Sequence, residues 1–117
     1  MKVRHIWIMS ILLGALLWAM SAQASAVVDV VNSDISTDTI SDDLVKVTWE
    51  AELSNTSDET VEVTVVCRLV DTDGNEVHSL SIEDFAINAK ETSTAVQSRP
   101  LSAAIWAKVS DHEIVVE

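Results

Sequence analysis

Cysteine occurs once in the chain, at Cys67. An intramolecular disulfide is therefore excluded, and core packing alone has to hold the domain together even in an oxidising compartment. Glycine is scarce: after the first 24 residues only Gly74 remains. That excludes a glycine-rich phosphate loop and a G-x-S-x-G nucleophile elbow. Proline is limited to Pro100. Basic residues are few, with 7 Lys and Arg against 19 Asp and Glu. So acidic a surface repels nucleic-acid phosphates and anionic lipid, so neither is an expected partner. After Met20 no apolar run is long enough to cross a membrane, and no window keeps a sustained helical period.

What is present begins with an export signal. Lys2 and Arg4 precede an uncharged apolar run, residues 6–20, and Ala22-Gln23-Ala24 supplies an A-x-A cleavage site. This is the layout of a secretory signal peptide. The run is shorter than the roughly 20 residues a spanning helix needs, and no cysteine follows it to carry a lipid anchor. The expected organisation is a signal peptide over 1–24 and a single domain over 25–117, which keeps 93 of the 117 residues. That length suits one small core. Without Lys2 and Arg4 the balance is 5 basic against 19 acidic residues, a formal net charge of −14. The surface favours solubility, a basic partner or a saline habitat. The expected location is exported, periplasmic or extracellular, and the missing disulfides suit a bacterial periplasm.

The clearest patterning lies in two stretches. Val45, Val47, Trp49, Ala51 and Leu53 alternate with Lys46, Thr48, Glu50, Glu52 and Ser54, as in a strand with one wet face. Val61, Val63, Val65, Cys67 and Leu69 alternate in the same way over 60–70, before the turn residues Asp71-Thr72-Asp73-Gly74-Asn75. Weaker strand signals cover 26–31, 76–82 (extended by 83–91), 92–98, 103–109 and 113–116. The phase slips between Val77 and Leu80, the mark of a bulge. Residues 32–43, rich in Ser, Thr and Asp with Ile35 and Ile40 as isolated anchors, read as a loop. Arg99-Pro100 reads as a strand break and Asp111-His112 as a turn. Together these give an all-β immunoglobulin- or fibronectin type III-like sandwich of about seven strands.

Residues 47–92 resemble the FxLYD domain family, small immunoglobulin-like modules of exported bacterial and archaeal proteins. Leu53-Ser54-Asn55-Thr56-Ser57 is similar to the strand end and N-x-S turn of that family. Cys67-Arg68-Leu69-Val70-Asp71, with Asp73-Gly74 after it, stands where F-x-L-Y-D and D-G would. Ile87-Asn88-Ala89-Lys90-Glu91-Thr92 resembles L-x-P-G-E-T. Cys67 replaces Phe, Val70 replaces Tyr, and Ala89-Lys90 replaces Pro-Gly. The resemblance implies the fold and no shared activity.

Candidate chemistry is thin. Asp71 to Asn75 offers oxygen ligands, but counted from Asp71 an EF-hand loop needs Gly at its sixth position and Glu at its twelfth, where Gly74 is fourth and Ile82 twelfth. A hairpin turn is the expected role. His78 and His112 stand 34 residues apart without ligand-spaced neighbours and read as solvated side chains. Asn55-Thr56-Ser57 matches a glycosylation sequon and in a bacterial protein reads as a turn. Trp49 is expected in the core; Val66 and Val70 mark the second face of the 60–70 strand as partly covered, so Trp106 is either a surface anchor or buried under that cover. Cys67 is expected to be buried, the competing reading being a thiol available for an intermolecular disulfide.

No catalytic residue, cofactor or metal ligand is assigned. The expected function is a non-enzymatic module that binds another protein in the bacterial envelope, through edge-strand pairing or a Trp106 patch. The alternative is a small ligand- or cation-binding protein that uses the acidic stretches 34–43 and 71–76. Nothing in the sequence bears on oligomeric state.

Overall fold

A computed structural model describes residues 26–117, so the signal peptide expected over 1–24 lies outside the described residues. The two best-patterned stretches form the middle strands of two antiparallel sheets. In the first, β2 (Leu44–Asn55) lies between β1 (Val28–Thr39) and β5 (Thr92–Ser102). In the second, β3 (Val61–Val70) lies between β4 (Glu76–Ile87) and β6 (Asp111–Val116). A single helical turn, α1 (Ala103–Trp106), carries the chain from one sheet to the other. The apolar phases face each other, so Val47, Trp49, Ala51 and Leu53 of β2 pack with Val63, Val65, Cys67 and Leu69 of β3 in one core. The fold is the expected all-β, immunoglobulin-like sandwich, with six strands rather than seven among the described residues.

Each departure from the sequence reading has a physical cause. β1 does not stop before the Ser-, Thr- and Asp-rich segment but runs through it to Thr39. The register shifts between Val30 and Asn32, and the extra residue, Val31, points outward. That bulge reverses the phase, so Ser33, Ile35 and Thr37 pair with inward residues Ala51, Trp49 and Val47. Backbone pairing with β2 overrides a composition typical of loops. The segment 76–82 and its expected extension form one strand, β4, but only as far as Ile87; residues 88–91 turn into β5. The slip after Val77 is a register shift beside Leu69 and Val70. A second bulge sets Glu83 and Asp84 against Thr64, with Asp84 at φ 53.

Pro100 does not break β5. Asn55 N–H bonds to Glu91 C=O, and Ala103 N–H to Asp43 C=O, at either end of the β2–β5 register. Odd residues of β5 therefore turn to β2, and Pro100 falls on the open edge, where no donor is needed. The strand expected over 103–109 is instead α1, capped by Ser102 Oγ, which accepts from Ala104 N–H and Ile105 N–H. Asp111 and His112 belong to β6 rather than to a turn.

Polar ties close the margins of the sandwich. Gln97 Nε2 donates to Ser81 C=O across the β5–β4 seam, at 2.9 Å. Ser33 Oγ meets His112 Nε2 at 3.1 Å across the β1–β6 seam. At the end opposite α1, Asn55 is 1 % exposed and its Nδ2 reaches the carbonyls of Glu59, Ile87 and Asn88.

Candidate functional site

The β1–β6 seam opens into a cleft of mixed apolar and polar lining near α1. Ile35 enters from β1, Trp106 from α1, and Val109, Ser110, Asp111 and His112 from the connection into β6, around a volume of about 170 Å³. The local sequence explains the opening. The bulge turns Ile35 toward the seam, and α1 delivers Trp106 against the edge of the core, where it is half-buried. Trp106 thus falls between the two alternatives left by the sequence: packed on one side and accessible on the other. Trp49 takes the core position expected of it, fully buried with Nε1 donating to Gln97 Oε1 at 3.1 Å.

The histidines come closer than their sequence separation suggests. His78 and His112 both pair with Leu69 from opposite sides, so they lie in one inward row with Leu69 between them. Two strand spacings, about 10 Å, separate their backbone positions, with the buried Leu69 between them. His112 also completes a Ser-His-Asp grouping that no local motif announces, with Ser33 Oγ 3.1 Å from Nε2 and Asp111 Oδ1 3.9 Å from Nδ1. The second distance is too long for a hydrogen bond. Asp111 Oδ1 instead accepts from the His112 backbone N–H at 2.8 Å. The carboxylate therefore caps the strand and does not hold the imidazole in the orientation a general base requires. Ser33 was not singled out by sequence reasoning, and its meeting with His112 is a contact between residues 79 apart.

The two acidic stretches do not form one cation loop. Residues 34–39 are part of β1, where Asp34 Oδ1 accepts from Ile35 N–H and Asp38 pairs with Lys46 at 3.9 Å. Asp34 stands opposite Glu50 in the register, and with Glu52, Asn32, Ser33 and Thr94 it borders an outer-face cavity of about 110 Å³. At the β3–β4 turn, Asp71 Oδ1 accepts from Asp73 N–H and Asn75 N–H, and Gly74 takes φ 84. Among the described residues no three His, Cys, Asp or Glu side chains are grouped to hold a metal ion. On the outer face of the second sheet Arg68 bridges Glu76 and Glu113.

Asn55 of the sequon is spent on structure. Its Oδ1 accepts from Ser57 N–H and Ser57 Oγ, and its buried Nδ2 is committed to carbonyls, so the folded protein offers no nitrogen for a glycan. Cys67 is fully buried, and desolvation pushes its thiol up to about 12.

No family model matches this chain, and no curated protein does. Two solved structures are similar in part. A β-glucuronidase from glycoside hydrolase family 2 superimposes with a TM-score of 0.54 at 24% identity, over 62% of this chain and 7% of that one. A glycosyl hydrolase family 2 member from Bacteroides cellulosilyticus DSM 14838 gives a TM-score of 0.45 at 18% identity, over 72% of this chain and 14% of that one. The chain spans only a small fraction of either enzyme. The first likeness bears on the β-sandwich fold and on nothing of the enzyme's activity.

Proposed function

We propose that this protein is an exported, non-enzymatic immunoglobulin-like module that binds another protein in the bacterial envelope. The observation that carries the reading is the cleft of Ile35, Trp106 and Val109 at an open seam. A half-buried tryptophan beside aliphatic side chains is the kind of anchor pocket that dominates protein interfaces. Export is supported by the charged start, apolar run and Ala22-Gln23-Ala24 site. The acidic surface suits a basic partner and an aqueous compartment.

Site-specific photocrosslinking in the native host tests the reading. A crosslinker at Val109 should trap one discrete protein, and one at Asp84 on β4 should not. Equal or absent trapping at the two positions would sink the idea, as would an intact mass showing that the envelope form keeps residues 1–24.

The second reading, cation binding, draws on one observation: the carboxylates of Asp34, Glu50 and Glu52 border the outer-face cavity, although the three are not grouped tightly enough to form a ready-made metal site. It requires calcium to raise the melting temperature beyond magnesium at equal ionic strength, because a ligand held only by the native state stabilises it. Asp34→Asn should then remove the difference.

A further inference from the structure

We infer that the partner segment recognised at this cleft is an extended, basic strand that adds to the free edge of β6 and seats one apolar side chain beside Trp106. The inference rests on the binding-module reading and specifies its mode. Hydrogen-bond parity identifies the free groups. Thr64 and Glu117 exchange both backbone bonds, at 2.9 and 2.8 Å. The β3–β6 register continues from Val65–Val116 to Val70–Asp111 without a shift. In an antiparallel ladder such pairs alternate, so Asp111, Glu113 and Val115 turn their backbone groups to β3. His112, Ile114 and Val116 turn theirs away, where no strand lies among the described residues.

The other edges are partly blocked. On β1 the outward N–H groups of Ser33 and Ile35 are taken by Asn32 Oδ1 and Asp34 Oδ1, beside the Val31 bulge. β4 carries two bulges and the positive φ of Asp84, and its Ser81 carbonyl already accepts from Gln97. On β5 Pro100 removes one donor and leaves Thr94, Val96 and Ser98 open, but no residue of that strand lines the cleft. On β6 only His112 N–H is capped, by Asp111. Ile114 and Val116 remain, on a strand whose first residues also line the cleft. Backbone bonds would supply affinity there, and the cleft would supply specificity for a side chain.

Charge decides the occupant. Two copies joined through β6 would bring Asp111, Glu113 and Glu117 of one chain near the same residues of the other, in a protein with 19 acidic and 7 basic residues. Like charges across a strand pair are destabilising. Arg68, on the neighbouring strand, is already engaged by Glu76 and Glu113. The Asp111 side chain, 67% exposed at the cleft, is placed to meet a cation from the incoming strand.

The test uses the purified chain and a synthetic probe, the peptide Lys-Val-Lys-Leu-Lys-Val-Lys, with amide hydrogen exchange read residue by residue. At saturation, exchange at Ile114 and Val116 should slow by about tenfold, while Glu113 and Val115, already bonded to β3, stay unchanged. The same peptide N-methylated at alternate residues should protect neither, and Asp111→Lys should weaken binding several-fold. Protection at Thr94 and Val96 instead, no protection anywhere, or protection of Ile114 that grows with protein concentration without peptide would each overturn the inference. The last result would assign the edge to a second copy. A discrete crosslink at Val109 together with an unprotected β6 would remove strand addition and leave the module reading standing.

Discussion

Replacing Asn55 should be the most damaging single polar substitution in the domain. The side chain is 1 % exposed and works in both directions. Nδ2 lies 2.7, 3.0 and 3.1 Å from the carbonyls of Glu59, Ile87 and Asn88. Oδ1 accepts from Ser57 N–H at 2.9 Å and from Ser57 Oγ at 2.7 Å. An amide has two hydrogens, so three carbonyls share two donors, and the group makes about four effective bonds. At about 1 kcal/mol net for each, and with some rewetting of the exposed Glu59 and Asn88 backbone, Asn55→Ala should cost about 3 kcal/mol. In a domain this size that lowers the melting temperature by more than about 10 °C. Asn55→Asp sharpens the test, because it removes the donors and aims a carboxylate at three carbonyl oxygens. Burial and those oxygens raise the folded-state pKa above the unfolded value near 3.9. The anionic penalty is then absent below about pH 4 and grows as pH rises, so the deficit against wild type should widen between pH 4 and pH 7. Urea unfolding followed by the fluorescence of Trp49 and Trp106 measures both variants. A loss below about 1 kcal/mol for Asn55→Ala, or a pH-independent deficit for Asn55→Asp, would refute the assignment of this residue as the buried tie.

Cys67 should react with a thiol reagent slowly in the native state and rapidly in denaturant. Its raised thiol pKa should also make stability fall as pH climbs from the unfolded value near 8.5 toward about 12, a slope that Cys67→Ala removes; rapid native labelling would mean that this face of β3 points outward. Gly74 sits at φ +84 with nothing within 4 Å of an added Cβ, so the cost of Gly74→Val is conformational. It should be about 1–2 kcal/mol in a denaturation curve, and an unshifted midpoint would place the strain elsewhere.

The parts of the chain that were legible are those where one local rule decides the outcome. In β3, and in β2 up to its terminal Asn55, each inward position is apolar, so period-2 alternation alone orients Trp49, Cys67 and Leu69. The illegible parts are those where two rules conflict. After Val31 the phase of β1 reverses, and a pattern read without the bulge scatters Ser33, Ile35 and Thr37 into an apparent loop. Ala103, Ile105, Ala107 and Val109 alternate like a strand, yet Ser102 is an N-cap and the chain has to cross between sheets there, so a helical turn forms. Pro100 breaks a strand only when its nitrogen faces a partner, and that parity depends on the register with β2. The candidate site is assembled from these same places. Ile35 lies beyond the bulge, Trp106 in the crossover and His112 at the start of an edge strand. A central strand is specified by what its own side chains bury, whereas an edge or a crossover is specified by what lies beside it. Local pattern therefore names Ile35 and Trp106 as anchors one at a time, and only the long-range pairing of β1 with β2 and β6 with β3 makes them neighbours. For the same reason an open edge is where such a module can carry recognition: its groups are the ones the fold leaves without a partner.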